Sequence, residues 1–456
     1  MKIVIVGAGK VGEVLCRELC YENHEITLIE LNEKRLNSMI GMCDISGILG
    51  SGALEANQRE AGVHNCDIFI AVMPNDETNL IAAITAKMIG ARYVIARVRS
   101  PEYSKQMAFL RESLGITVMI NPELEAAREI MSGMRFPDAL SVEHFAHGLV
   151  NIVEYILPEN SDLANQQLRD VRRQHGDVLI CMIMRDDDII IPDGSTKLEV
   201  GDHLFVTGQD VEITCFTSWS NNKHQRIKSA LIIGGGRITR YLLPRLEELR
   251  IRTKVIEVDE KIAEQLAADF PKVVVVNSDG TNQAILHEES VENYDAVIAV
   301  TGIDEENILI SIYAAHVGVN KTVTKVNRTD LLNVLKNAGL KTILTPYRII
   351  SNQIVRFVRS LTNSEGSNIE AFYGLADGRV EILQFRVSEG NQVSDIPLAD
   401  LNIKPGLLIA CIVRGRDIIY PRGESCIHLG DEIIIVTTHP RFDDVNDILL
   451  NGRSAK

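Results

Sequence analysis

The residues best suited to chemistry form a glycine loop, Gly7-Ala8-Gly9-Lys10-Val11-Gly12, fed by the apolar run Ile3-Val4-Ile5-Val6. A second apolar run ends at an acid, Glu30. Each position has a physical use in holding a dinucleotide: Gly7 permits a tight turn, Gly9 lets the backbone approach a pyrophosphate, and Gly12 allows close packing of helix on strand. A helix starting there would offer unpaired N–H groups and a partial positive charge to phosphates. Glu30 would accept hydrogen bonds from ribose hydroxyls and repel a 2′-phosphate, which favours NAD over NADP and leaves ATP and ADP open. The same set returns as Gly234-Gly235-Gly236-Arg237-Ile238-Thr239, closed by Glu257, at one offset of 227 residues for loop (7 to 234) and acid (30 to 257). A duplicated unit is far more specific than one glycine loop, and it divides the chain into two halves.

Further candidates converge where ligands sit in open α/β sheets, beyond the carboxyl ends of the strands. A fourth strand ends at Val72-Met73-Pro74, followed by Asn75-Asp76-Glu77-Thr78-Asn79, and a fifth ends at Arg97-Val98-Arg99. Asp76 reads as a helix N-cap, with Asn79 in the first turn. Arg97 reads equally as a phosphate ligand or as the ion-pair partner of Glu30 or Glu77. In the second copy Thr239 replaces the third glycine, Lys325 stands for Arg97, Asn327 stands for Arg99, and Asp279 appears in a turn whose counterpart, Gly50-Ser51-Gly52-Ala53, has no acid. Both halves are expected to bind nucleotides, with different affinity or different ligand, and the first matches the NAD pattern better.

The elements that must position these residues alternate. Short β-branched runs at 3–6, 26–30, 45–49, 67–72, 93–98 and 116–120 are interleaved with helical segments, and strands near 230, 255, 273, 296, 322 and 342 repeat the series, which implies parallel sheets with helices on both faces. The stretches 148–216 and 379–438 read as short strands between Gly, Asp and Pro turns, and they too are copies, with Pro192, Gly194 and Gly201-Asp202 matching Pro421, Gly423 and Gly430-Asp431. Pro122 and Pro346 each open one more helix with an apolar stripe, suited to its own sheet or to a contact between halves or subunits. The domains expected are 1–121 and 229–345 (nucleotide-binding), 122–217 and 346–456 (a helix plus a small β-rich domain), with 218–228 as linker.

The 456-residue chain is 45% hydrophobic and 24% charged, with a net charge of −15 and no basic block, a balance that argues against nucleic acid and against direct attachment to anionic lipid. No apolar stretch approaches the roughly 18 residues needed to span a bilayer. No secretory signal is visible, so work at a membrane is expected from the cytoplasmic side through a partner. Eight cysteines lack metal-type spacing and read as small hydrophobes in a reducing compartment, and no metal is expected.

Together, the tandem glycine loops, the acids closing strand two, the helix starts Asp76-Glu77-Thr78-Asn79 and Asp304-Glu305-Glu306-Asn307, and the duplicated β-rich appendices resemble the TrkA family, regulatory subunits of bacterial Trk potassium-uptake systems. The resemblance covers essentially the whole chain. It implies two tandem Rossmann-like parallel-sheet domains, each followed by a small β-rich α+β domain, that bind NAD(H) or ATP/ADP without catalysis. It implies self-association into a ring (homotetramer or dimer) under a membrane potassium transporter, on the inner face of the plasma membrane. The family's nucleotide contacts fall on Gly7, Ala8, Gly9, Lys10, Val11, Glu30, Met73, Pro74 and Arg97, and on Gly234, Gly235, Gly236, Arg237, Ile238, Glu257 and Thr301. Met73-Pro74 and Thr301-Gly302 depart from the family's Thr-Asn at the end of strand four. The competing reading is a nicotinamide-dependent oxidoreductase with a duplicated cofactor domain. Against it, such an enzyme adds a substrate domain bearing an acid/base residue, and the appendices here are small and copied.

Overall fold

A computed structural model describes the chain except residues 23, 105, 146–148, 177, 187, 220–226, 329–339, 341, 364–368, 376–378, 416, 440–441, 443 and 451–456. The first glycine loop follows β1 (Lys2–Val6), whose sheet contains β2 (Glu25–Glu30), β3 (Ser46–Leu49), β4 (Ile68–Ala71), β5 (Tyr93–Arg97) and β6 (Val118–Ile120). All neighbours are parallel, in the order β3-β2-β1-β4-β5-β6. That order reverses between β1 and β4, and the reversal opens a crevice at their carboxyl ends, beside the glycine loop. The central strands are continuous apolar runs because helices cover both faces: all four residues of β4 are buried.

A small antiparallel sheet follows, formed by β7 (Ser141–Phe145), β8 (Val150–Ile156), β9 (Leu179–Arg185), β10 (Asp188–Ile190) and β11 (His203–Thr207) in the order β10-β9-β11-β8-β7. The second half repeats both. Its parallel sheet is β14-β13-β12-β15-β16-β17, from β12 (Ser229–Ile233), β13 (Arg252–Glu257), β14 (Val274–Asn277), β15 (Ala296–Ala299), β16 (Lys321–Lys325) and β17 (Thr342–Leu344). Its small sheet is β18-β19-β22-β20-β21, from β18 (Ile369–Leu375), β19 (Val380–Arg386), β20 (Leu407–Arg414), β21 (Asp417–Ile419) and β22 (Glu432–Thr437).

Packing regroups the four pieces by type. One unit joins Met1–Met131 to Ile227–Val355, and the other joins Ser132–Arg226 to Arg356–Lys456. In the second unit the two small sheets share a core in which Phe145, Ile152, Cys181 and Met182 lie with Val380, Ile382, Cys411 and Val436. Arg172 crosses between them, donating to the carbonyls of Tyr420 at 3.1 Å and Pro421 at 3.0 Å.

Several local expectations change. The stretch 148–216, which reads as short strands, also carries the helix Leu168–His175 and most of Asp210–Trp219, the second running into the segment expected as linker. Residues 220–226 of that linker lie outside the described residues. The helix expected from residue 101 is two pieces, Pro101–Ser104 and Met107–Leu114. The stripes on the helices Pro122–Arg135 and Pro346–Asn363 bury Ala127, Ile130 and Met134, and Ile350, Ile354 and Val358.

Candidate functional site

The first loop turns at Gly7, where φ is +100°, a conformation that L side chains rarely adopt. Gly234 repeats it with φ +104°. A Cβ on Gly12 would come within 1.9 Å of the Gly7 carbonyl oxygen, so helix and turn meet here as closely as backbones can. The helices that follow, Lys10–Cys20 and Arg237–Glu248, have glycine N-caps and no side-chain cap hydrogen bond, so their N-terminal amides are not capped by a side chain among the described residues. Val11 and Ile238 anchor those first turns by burial.

Glu30 and Glu257 are the carboxylates that hold the loops in place. Glu30 Oε2 accepts from the Ala8 amide at 2.6 Å and Oε1 from the Asn32 amide at 2.9 Å. Glu257 accepts from the Gly235 amide and, at 2.8 Å, from the Asp259 amide. An ionised carboxylate has about four acceptor positions, so each acid keeps capacity for ribose hydroxyls after tying its loop.

The Asp-Glu-x-Asn start has a different job from the one its sequence suggests. Asn75, not Asp76, caps the helix Asp76–Ile89, accepting from the Thr78 amide. Asp76 is buried one position later, and its Oδ2 accepts from the amides of Arg99 and Ser100, both at 2.9 Å. Asn79 is fully buried. Its Oδ1 takes the Met73 amide at 2.8 Å, and its Nδ2 donates to the Met73 and Arg97 carbonyls, both at 2.9 Å. The second copy repeats the clamp: Asn307 takes the Thr301 amide at 2.8 Å and donates to the Lys325 carbonyl at 3.0 Å, and Asp304 takes the amides of Asn327 and Arg328. The amides of Met73 and Thr301 are thereby used internally, and Pro74 has none.

Of the two roles that sequence leaves open for Arg97, the ion pair with Glu30 or Glu77 is not seen among the described residues. The Arg97 guanidinium donates to the Met73 carbonyl, and its buried Nε has no partner. Burial, then the neighbouring Arg99, pushes its pKa down from the usual arginine value, which Glu123, Tyr347 and Asp76 partly oppose. Lys325 occupies the equivalent place, donating to the Thr301 carbonyl at 2.9 Å. Burial lowers its pKa too, with Asp304 and Glu123 opposing and Lys10 reinforcing. A buried cation without a carboxylate partner is costly. A phosphate would pair with it. Asp279 is exposed, and its carboxylate is engaged by Thr281 N–H and hydroxyl in its own turn, which holds its pKa low.

The variable loop cations face across the two parallel-sheet halves. Lys10 Nζ lies 5.6 Å from the centre of the Tyr347 ring, and Arg237 lies 4.0 Å from Glu123. Glu123 and Tyr347 directly follow Pro122 and Pro346, a matched placement that a reading of each half alone does not weigh. Gln58 is also missed by sequence, although it is fully buried and braces the first site by donating to the Gly52 and Ala82 carbonyls. In the appendices Arg185 and Arg414 make bidentate pairs with buried Asp202 and Asp431, which close the duplicated turns. The eight cysteines are free thiols. No helix among the described residues is long and apolar enough to cross a membrane.

With this geometry in view, comparisons with known proteins are specific. The TrkA-N domain model matches residues 3–122 and again 230–346, and the TrkA-C domain model matches 152–216. A Methanosarcina mazei protein named Trk system potassium uptake protein TrkA homolog 1 is 30% identical over 95% of this chain and 97% of its own. Among solved structures, the GsuK channel bound to NAD superposes with a TM-score of 0.63 at 18% identity, over 96% of this chain and 76% of that one. GsuK bound to ADP gives 0.51 at 16% identity, over 79% of this chain and 69% of that one. At such identities the structural likeness is one of fold.

Proposed function

The chain belongs to the TrkA family, and from that premise we propose that it is a nonenzymatic, nucleotide-binding regulatory subunit of a potassium-uptake system. The observation that carries the nucleotide reading is Arg97, a buried cation with no carboxylate partner among the described residues, which ends β5 next to β4 and donates to the carbonyl of Met73 just past β4, at the sheet edge that also carries the glycine loop. The relative's name supports the potassium system, and the GsuK structures named for NAD and ADP support the ligand class.

In this reading the first site is Gly7, Ala8, Gly9, Lys10, Val11, Gly12, Glu30, Met73, Pro74 and Arg97. The second is Gly234, Gly235, Gly236, Arg237, Ile238, Glu257, Asp279, Thr301 and Lys325. The first site takes NAD(H), with ATP or ADP as competing ligands. The domains run 1–121, 122–217, 229–345 and 346–456. Chains associate into a ring, dimeric or tetrameric, on the cytoplasmic face of a membrane potassium transporter. Nucleotides act there by differential affinity for two arrangements of the ring.

The decisive experiment is calorimetric titration of the full chain with NADH, ATP and ADP in competition, on wild type and on Glu30→Ala. Up to two sites per chain are expected, one of them lost in the variant without loss of fold. Unchanged affinity and stoichiometry in Glu30→Ala would overturn the first-site assignment. Turnover of a small substrate with NADH by the pure chain would favour the oxidoreductase.

A further inference from the structure

One tie between the two parallel-sheet halves is lopsided. Tyr241 lies one turn beyond Arg237 on the helix Arg237–Glu248, on the same face. Its buried hydroxyl donates to the Arg99 carbonyl at 3.0 Å and accepts from Asn121 Nδ2 at 2.8 Å. Both partners belong to the first site's frame. Arg99 follows the β5 terminus at Arg97 and is held by Asp76, and Asn121 Oδ1 accepts from the Leu124 amide at 3.0 Å at the start of the helix Pro122–Arg135. The duplicated position of Tyr241 is Val14, and that of Asn121 is Thr345, so Val14 has no hydroxyl with which to return the bridge.

We propose that Tyr241 couples the two nucleotide sites: displacement of its helix by an anion at the Gly234–Ile238 loop is relayed through one phenol to Arg99 and Asn121, and so to the strand that carries Arg97. This rests on the nucleotide reading above. Coupling between binding sites is reciprocal in free energy, so a single bridge suffices for each site to sense the other.

The test uses full-length chains in which Glu30→Ala disables the first site and ADP is the probe for the second. With ADP bound, amide exchange at Arg99, Ser100 and Leu124 should change by about fivefold or more, the low end of ordinary allosteric coupling. The same ADP titration in Glu30→Ala/Tyr241→Phe should leave those amides unchanged while ADP affinity stays within about twofold of the Glu30→Ala parent. An equal response with phenylalanine overturns the bridge, and so does no response in the Glu30→Ala chain with ADP bound. Should Tyr241→Phe melt early, Asn121→Ser keeps a capping side chain but loses reach to the phenol, and it should uncouple Leu124 from ADP. If wild type binds no nucleotide at all, the titration itself reveals it, and the functional reading falls together with the bridge.

Discussion

The two parallel-sheet halves keep one scaffold and differ at the surfaces that would meet a ligand. Asn79 and Asn307, and Asp76 and Asp304, make the same backbone ties. Beside them, Arg97 becomes Lys325 and Gly12 becomes Thr239. In the first copy the backbones touch at Gly12; in the second, Thr239 is fully buried, and its hydroxyl donates to the Gly234 carbonyl at 2.5 Å. The second helix is therefore seated on a side-chain hydrogen bond where the first is seated on bare glycine. The clamps that tie the strand ends are kept, while the cation beside them and the seat of the loop helix change.

The comparison breaks first if the scaffold is unequal. Asn79→Ala removes three buried hydrogen bonds and should cost about 3 kcal/mol in denaturant unfolding, at ~1 kcal/mol each. Asn307→Ala should cost a similar amount, and a difference above about 2 kcal/mol would mean the clamps are not equivalent. Next come the cations. Arg97→Met should weaken nucleotide binding about 10- to 100-fold by loss of charged hydrogen bonds, without lowering the thermal midpoint of the free chain, because it removes a buried unpaired charge. Lys325→Met should act in the same direction at the second site. A drop of several degrees in the Arg97→Met midpoint would recast that side chain as structural.

Thr239→Gly should cost about 1–2 kcal/mol, from the lost hydroxyl bond and a helical glycine, with the thermal midpoint as readout. A gain in stability would mean the threonine is strained. The smallest effect is in pH. Desolvation of the half-buried Lys325 lowers its pKa from the ordinary 10.5, so below that lowered value the folded state bears the cost of a partly desolvated charge. That cost is relieved as pH rises from the folded value toward 10.5, and over the same window phosphate affinity at the second site should fall. An arginine stays protonated throughout, so the contribution of Arg97 at the first site should not change there, and Lys325→Arg should flatten the fall at the second.

Much of this was legible in sequence because duplication exposes it. Glycine turns, acids closing strand two and alternating apolar runs are local signals, and the parallel order follows from them. Asp76 reads as a cap because an acid at a helix start satisfies the N-cap rule locally, whereas its partners, Arg99 and Ser100, come from the next strand exit. Arg97 stayed ambiguous for the same reason: its surroundings are set by three separate segments. Tyr241 meets Arg99 and Asn121, Arg237 meets Glu123, and Lys10 meets Tyr347 only after the halves pack, and no spacing within a half encodes that.

The shared core of the two small sheets has a consequence for mass action. As separate chains, such halves would part on dilution, and every substitution at their contact would appear on both sides at once. Within one polypeptide the partner is always present at high effective concentration, and each side can mutate alone. Arg172, whose duplicated position is Leu401, reaches its partner's carbonyls from one side only. The chain is in effect a heterodimer that cannot dissociate.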